Sequence, residues 1–164
     1  MKKLIIYISL ALFFCNCTTD RNVIKQYRTA YDYLLKLSDI PKDGLKVSDT
    51  IVFIELCNFY IELSDGNGMK MLFMLDSLDR ERHFENYVFT ELRNLPSNQL
   101  SRYNLFFSEF IDNLLLAEIL ESNNTSKTTY KQLVAFNQSM LYLFVFDKNK
   151  QKINNVYSKK IQYD

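Results

Sequence analysis

The chain has 164 residues, with 20 Lys and Arg against 19 Asp and Glu and a formal net charge of +1, a balance that gives no global electrostatic case for nucleic acid. Apolar residues make up 48% and aromatics 15%, all Phe and Tyr, while Gly occurs three times and Pro twice. Few breakers and many large apolar side chains predict long regular elements around an aromatic core, and no internal repeat or low-complexity stretch is present.

Met1, Lys2 and Lys3 precede an uncharged apolar run from Leu4 to Phe14, the anatomy of an export signal. A helix of that length rises only about 16 Å, too short for a hydrocarbon core of about 30 Å, so the run is not expected to be a permanent transmembrane anchor. A buried helix of a folded domain would show a polar face, and this run offers only Ser9 and the Tyr7 hydroxyl.

The run ends at Phe14-Cys15-Asn16-Cys17-Thr18-Thr19-Asp20, and this segment resembles a bacterial lipoprotein precursor. The resemblance implies cleavage before a cysteine whose thiol is then diacylated. Cys17, preceded by Asn16, is the expected acceptor; Cys15 is the second candidate, with the bulky Phe14 at its cleavage position. It also implies that Thr18, where an Asp favours inner-membrane retention in that family, directs the protein to the outer membrane. Without an acidic cluster after Asp20, the side facing the periplasm is expected. The organisation is then a signal peptide 1–16, a lipidated tether 17–22 and one globular domain 23–164.

Cleavage before Cys17 removes 16 of the 164 residues and leaves 148, enough for one domain with a sizeable core. The signal takes Lys2 and Lys3 with it, leaving 18 basic against 19 acidic residues. Cys57 is then the remaining free thiol, so no intramolecular disulfide is expected, and its apolar setting predicts an inert, buried group.

Val23, Ile24, Tyr27, Tyr31, Leu34 and Leu35 recur at helical spacing and predict an amphipathic helix over about 21–38, ended by the Pro41 to Gly44 loop. Residues 51–63 are apolar nearly all round, and their length favours a buried helix, capped by Ser48 or Asp49, over a strand. Ser64 to Gly68 reads as a turn, and 69–94 as one or two helices stopped by Pro96. Leu100, Tyr103, Phe106, Phe107, Phe110, Ile111, Leu114 and Leu115 then give the strongest helical pattern of the chain, with Ser97 as its cap. After the polar segment 122–126 and a short element at 129–136, Met140 to Phe146 reads as a strand buried on both faces. Asp147 to Lys150 reads as a turn and Ile153 to Ile161 as a return strand. The lysines 148, 150, 152, 159 and 160 on and beside that edge suit protection against edge pairing, and Lys159 and Lys160 are candidate interaction residues. The fold class expected is α+β, predominantly α-helical, with a C-terminal antiparallel β-hairpin or small meander.

His83 lies in the charged stretch Asp79 to His83 with no nucleophile motif beside it, and reads as part of a solvated helix face. The chain has no phosphate-binding Gly loop and no paired Cys or His ligands. Asp65, Asn67 and Asp76 imitate the ends of an EF-hand loop, but Met69 and Lys70 occupy its middle. Met69, Met71 and Met74 resemble the methionine-rich segments of envelope copper proteins; Met71, Met74, Leu75 and Leu78 at one helical face fit packing better. No cofactor and no metal are expected. Glu55, Glu62, Asp112 and Glu118 interrupt apolar stretches, and a converging pair among them would suit acid and base chemistry. The reading that follows is a non-catalytic, lipid-anchored envelope protein that binds a protein or envelope polymer at the membrane, with a protective or immunity-type role as one concrete form. A carboxylate-dependent hydrolase of glycan or peptide is the alternative, and a copper binder the third.

Overall fold

Met140 to Phe146, the longest unbroken apolar run after residue 14, lies beside Leu114 to Leu120, interrupted only by Glu118, in a mixed sheet. The computed structural model describes residues 24–38, 40, 44–64, 68–122, 129–135 and 137–163. The six strands are β1 Lys46–Ile51, β2 Tyr87–Val88, β3 Tyr103–Phe107, β4 Leu114–Glu121, β5 Gln138–Phe146 and β6 Ile153–Gln162. Their order is β2-β1-β3-β4-β5-β6. β1 and β3 run parallel, and every other neighbouring pair is antiparallel.

A strand covered on both faces carries no polar alternation, because both sets of side chains enter a core. In β4, Leu115, Ala117 and Ile119 enter one core, while Leu114, Leu116 and Leu120 enter the other. β5 divides the same way, with Tyr142, Phe144 and Phe146 on the first face and Leu141 and Leu143 on the second. The first face is covered by helix α1, residues 24–34, through Tyr27, Ala30, Tyr31 and Leu34. The Tyr27 hydroxyl fixes that helix to the connection after β3, donating to Ser108 O at 3.1 Å and accepting from Phe110 N at 3.2 Å. On the second face lie a 3-10 turn Leu56–Phe59, α2 Tyr60–Leu63, α3 Gly68–Glu81 and α4 Tyr130–Val134. They contribute Leu56, Phe59, Leu75 and Leu133 to the second core.

The expectation of a predominantly helical domain is therefore corrected. The helix read from Leu100 to Leu115 is instead β3, a tight connection and β4. Its aromatic spacing fits a helical stripe, yet Leu105 and Phe107 face one core and Phe106 the other. The connection turns at Asp112, which takes φ 54° in the left-handed region that a short Asx side chain tolerates. Residues 51–63 are the end of β1, an extended stretch, the 3-10 turn and α2 rather than one buried helix, and 69–94 holds α3, β2 and a second 3-10 turn Thr90–Asn94. Ser97 caps no helix; its Oγ accepts from Val47 N at 2.9 Å. The helix at 24–34 falls within the expected 21–38 and ends four residues short of it, with 21–23 outside the described residues, while the β5–β6 hairpin stands where the pattern places it.

Candidate functional site

The layer on the second face is pinned by a buried ion pair that reads in sequence as solvated charge. The Asp79 carboxylate accepts from Leu56 N at 3.1 and 2.9 Å, at the start of the 3-10 turn. The Arg82 guanidinium donates to Asp79 and to Ile54 O, and lies 4.9 Å from the centre of the Phe53 ring. The pair thus ties the C-terminal end of α3 to the chain leaving β1. Spacing of three on a helix lets Asp79 and Arg82 meet, and that is the one signal in the sequence that points to them.

Held there, α3 buries only Leu75 and Asp79 fully, with Met71 and Leu78 packed at the margin of the core. Met69 and Phe73, one turn apart, stay 64% and 65% exposed, Met74 is 46% exposed, and Ile61 on the neighbouring α2 is 66% exposed. Met74 therefore does not pack inward with Met71 as its helical spacing suggests. Covering one such side chain is worth about 1.5 to 3 kcal/mol, so four of them on one helical layer call for a partner; Phe84, Val88 and Leu100 are exposed on other segments.

The four interrupting carboxylates stand on different elements. Glu118 is 0% exposed, on the second face of β4, where Oε2 accepts from Tyr130 Oη and Oε1 from Tyr163 Oη, each at 2.6 Å. Burial first, and then Glu118, push both phenols above their ordinary value. With an oxygen committed to each tyrosine and no exposed surface, Glu118 joins α4 and the C-terminal segment to the sheet and is closed to a substrate. Glu55 is exposed ahead of the 3-10 turn, Glu62 lies 3.8 Å from Lys159, and Asp112 is exposed in the β3–β4 connection.

Lys159 and Lys160 point to opposite faces of β6. Lys159 Nζ donates to Asn58 O and sits 5.2 Å from the centre of the Phe59 ring, so it fastens the 3-10 turn to the sheet. Lys160 lines a groove of about 300 Å³ on the other face with Ile40, Tyr103, Met140 and Tyr142. A second groove, of about 420 Å³, runs beside β1 and is spanned by an ion pair of Arg93 and Asp49 at 2.6 Å. Cys57 is half-buried, and burial, followed by the charges of Asp79 and Asp76, pushes its thiol upward, the opposite of nucleophile activation. His83 follows α3, with Nδ1 3.1 Å from Glu109 Oε2 and its ring edge-on to Tyr87. Among the described residues no three His, Cys, Asp or Glu side chains gather as a metal site, and no helix is long and apolar enough to cross a membrane. Cys15 and Cys17, the rest of the expected signal segment 1–16 and Asp65 to Asn67 lie outside the described residues. Comparison with protein-family models, curated proteins and solved structures finds no match to the chain.

Proposed function

We propose that the mature chain is a non-catalytic, lipid-anchored protein of the bacterial envelope that captures a macromolecular partner, and that the α2–α3 layer is its contact face. The anchor is Cys17, and the outer membrane facing the periplasm is its place, on the resemblance of the N-terminal segment to lipoprotein precursors. One observation carries the binding function: Ile61, Met69 and Phe73, large apolar side chains, stay about two-thirds exposed on a layer whose inner side is firmly held. The enclosure of Glu118 by two tyrosines weighs against the hydrolase, because it removes the most buried of the candidate acids from any substrate. A protective role, in which the anchored domain intercepts an incoming toxin, uses the same face.

The test is crosslinking in intact envelopes followed by purification of the native lipidated protein, with an Ile61→Asp/Phe73→Asp variant as comparison. A discrete partner recovered with the wild type and lost from an equally abundant variant is the expected result. Equal recovery with both proteins removes the α2–α3 layer from the interface, and recovery of no protein or polymer with either removes the binding function.

A further inference from the structure

The four lysines at one end of the domain stand where the chain to Cys17 leaves it. We infer that this end is a docking surface for anionic phospholipid headgroups, an inference that rests on the anchored reading above. The hairpin turn 147–152 carries exposed Lys148, Lys150 and Lys152, and the start of α1 adds exposed Lys25. The two segments are joined, since Gln26 Nε2 donates to Lys150 O, and the Asp147 carboxyl, held below its ordinary value first by the Gln151 backbone N–H, also feels the charge of Lys25.

Among the described residues, three acids stand on the connections at this end. Asp147 is turned into its own turn, where Oδ1 accepts from Gln151 N at 2.7 Å and Lys152 N at 3.2 Å, Asp112 is exposed on the adjacent connection, and Glu109 on that connection is engaged by His83. Four lysines against these three described acids leave the end positive on a mature chain whose overall balance is slightly negative. The turn is also rigid. Asp147 O accepts from Lys150 N at 2.8 Å, Lys150 takes φ 58°, and its ammonium lies 5.6 Å from the centre of the Phe110 ring.

Seven residue steps separate Cys17 from Ile24, the first described residue of α1, so a lipid on Cys17 holds this helix end within about 25 Å of the headgroups. Lys25 is thus the described charge nearest to Cys17 along the chain, and the Gln26 contact to Lys150 sets the hairpin-turn lysines beside it. Each lysine near an anionic surface strengthens docking about fivefold, with the effect fading beyond a distance of about 10 Å at moderate salt. Docking by this end leaves the domain upright on its tether. Lys159 and Lys160, farther along β6, take no part.

The experiment uses the processed protein isolated from membranes, reconstituted with phosphatidylcholine vesicles or with vesicles containing one-third phosphatidylglycerol. Flotation with the neutral vesicles reads the anchor, and amide hydrogen exchange at 25–28 and 147–153 reads docking. Exchange is expected to slow several-fold on the anionic vesicles relative to the neutral ones, and to recover in high salt. A Lys25→Gln/Lys148→Gln/Lys152→Gln variant, with Lys150 kept for its packing on Phe110, should lose docking about a hundredfold, returning exchange to the neutral-vesicle rate with thermal unfolding unchanged. Flotation with equal exchange on both vesicles overturns the docking surface and leaves the anchor standing. Association with anionic vesicles alone, lost in the triple variant, overturns the anchor and supports the surface, and association with neither overturns both.

Discussion

Replacing Arg82 with Met tests whether the buried pair holds the α3 layer. The side chains of Arg82 and Asp79 are 1% and 9% exposed, so both charges are withdrawn from water and depend on one another and on backbone partners. Met keeps most of the aliphatic volume beside Phe53 and removes the charge. It leaves Asp79 with the Leu56 and Cys57 backbone N–H groups and leaves Ile54 O without its donor. Breaking a buried pair from one side typically costs about 3 to 5 kcal/mol, against a total stability of about 5 to 15 kcal/mol for a domain. Asp79→Leu should cost at least as much, because Arg82 is then the stranded charge. The Asp79→Leu/Arg82→Met double variant contains no charge at the clamp, and its remaining deficit is the orphaned backbone groups, chiefly Ile54 O and Leu56 N, about 1 to 3 kcal/mol each. Its loss must therefore fall well short of the sum of the single losses. Urea unfolding followed by circular dichroism measures all four proteins; at a slope of about 2 kcal/mol per molar, Arg82→Met moves the midpoint down by about 2 M. A shift under about 0.5 M, or a double variant equal to the sum of the singles, would refute the clamp.

Phe144→Ala should cost about 3 to 5 kcal/mol in the same assay, because Phe144 is wholly buried on the face of β5 that α1 covers, with its ring edge-on to Tyr33; a cost under 1 kcal/mol would mean that the first core closes over the gap. Alkaline pH should unfold the protein early. Burial first, then the charge of a deprotonated Tyr87, raises the Tyr27 phenol far above 10, and burial pushes Tyr87 up to about 12. The folded state thus retains protons that the unfolded chain gives up, so stability is intact below about pH 10 and falls as pH rises from there toward the folded values. Tyr27→Phe should lessen that fall by about 1.4 kcal/mol per pH unit, and identical slopes for the two proteins would count against it. Cys17→Ala should release the protein from membranes or stall the precursor, read by fractionation and by mass spectrometry of the mature N-terminus; a wild-type product beginning at Asp20 or later contradicts lipidation.

The C-terminal hairpin was legible in the sequence because two signals coincide there. Seven consecutive apolar residues exceed what one face can use, and Asp147 to Lys150 supplies a polar turn. Between β3 and β4 the polar residues Ser108, Glu109, Asp112 and Asn113 are split by Phe110 and Ile111, which extend the helical stripe. That connection turns at Asp112, and the β5–β6 turn passes through Lys150, both at positive φ where glycine is the usual marker. Three glycines in the whole chain therefore misstate the number of turns, and segments that fold as strand, turn and strand read as one long helix. β1 was hidden for another reason: Lys46 to Thr50 is half-buried throughout, beside a two-residue edge strand, so neither alternation nor a continuous apolar run develops.

The candidate contact face was misread in the opposite sense. Helical spacing correctly gathers Met71, Leu75 and Leu78 on one side of α3, but apolar residues also continue around the helix through Met69, Phe73 and Met74. Sequence periodicity records which residues share a stripe and carries no information on how wide the covering surface is. That width is set by the tertiary clamp at Asp79 and Arg82, two charges whose burial depends on backbone groups more than twenty residues away, at Ile54 and Leu56. Once the clamp fixes the rotation of α3, the second core reaches Leu75 and its margin at Met71, and the sheet has no further surface to offer Phe73. The exposure of that side chain is a consequence of a rigidly held helix, and a rigid layer binds a partner without first losing the conformational entropy that a mobile one would have to give up.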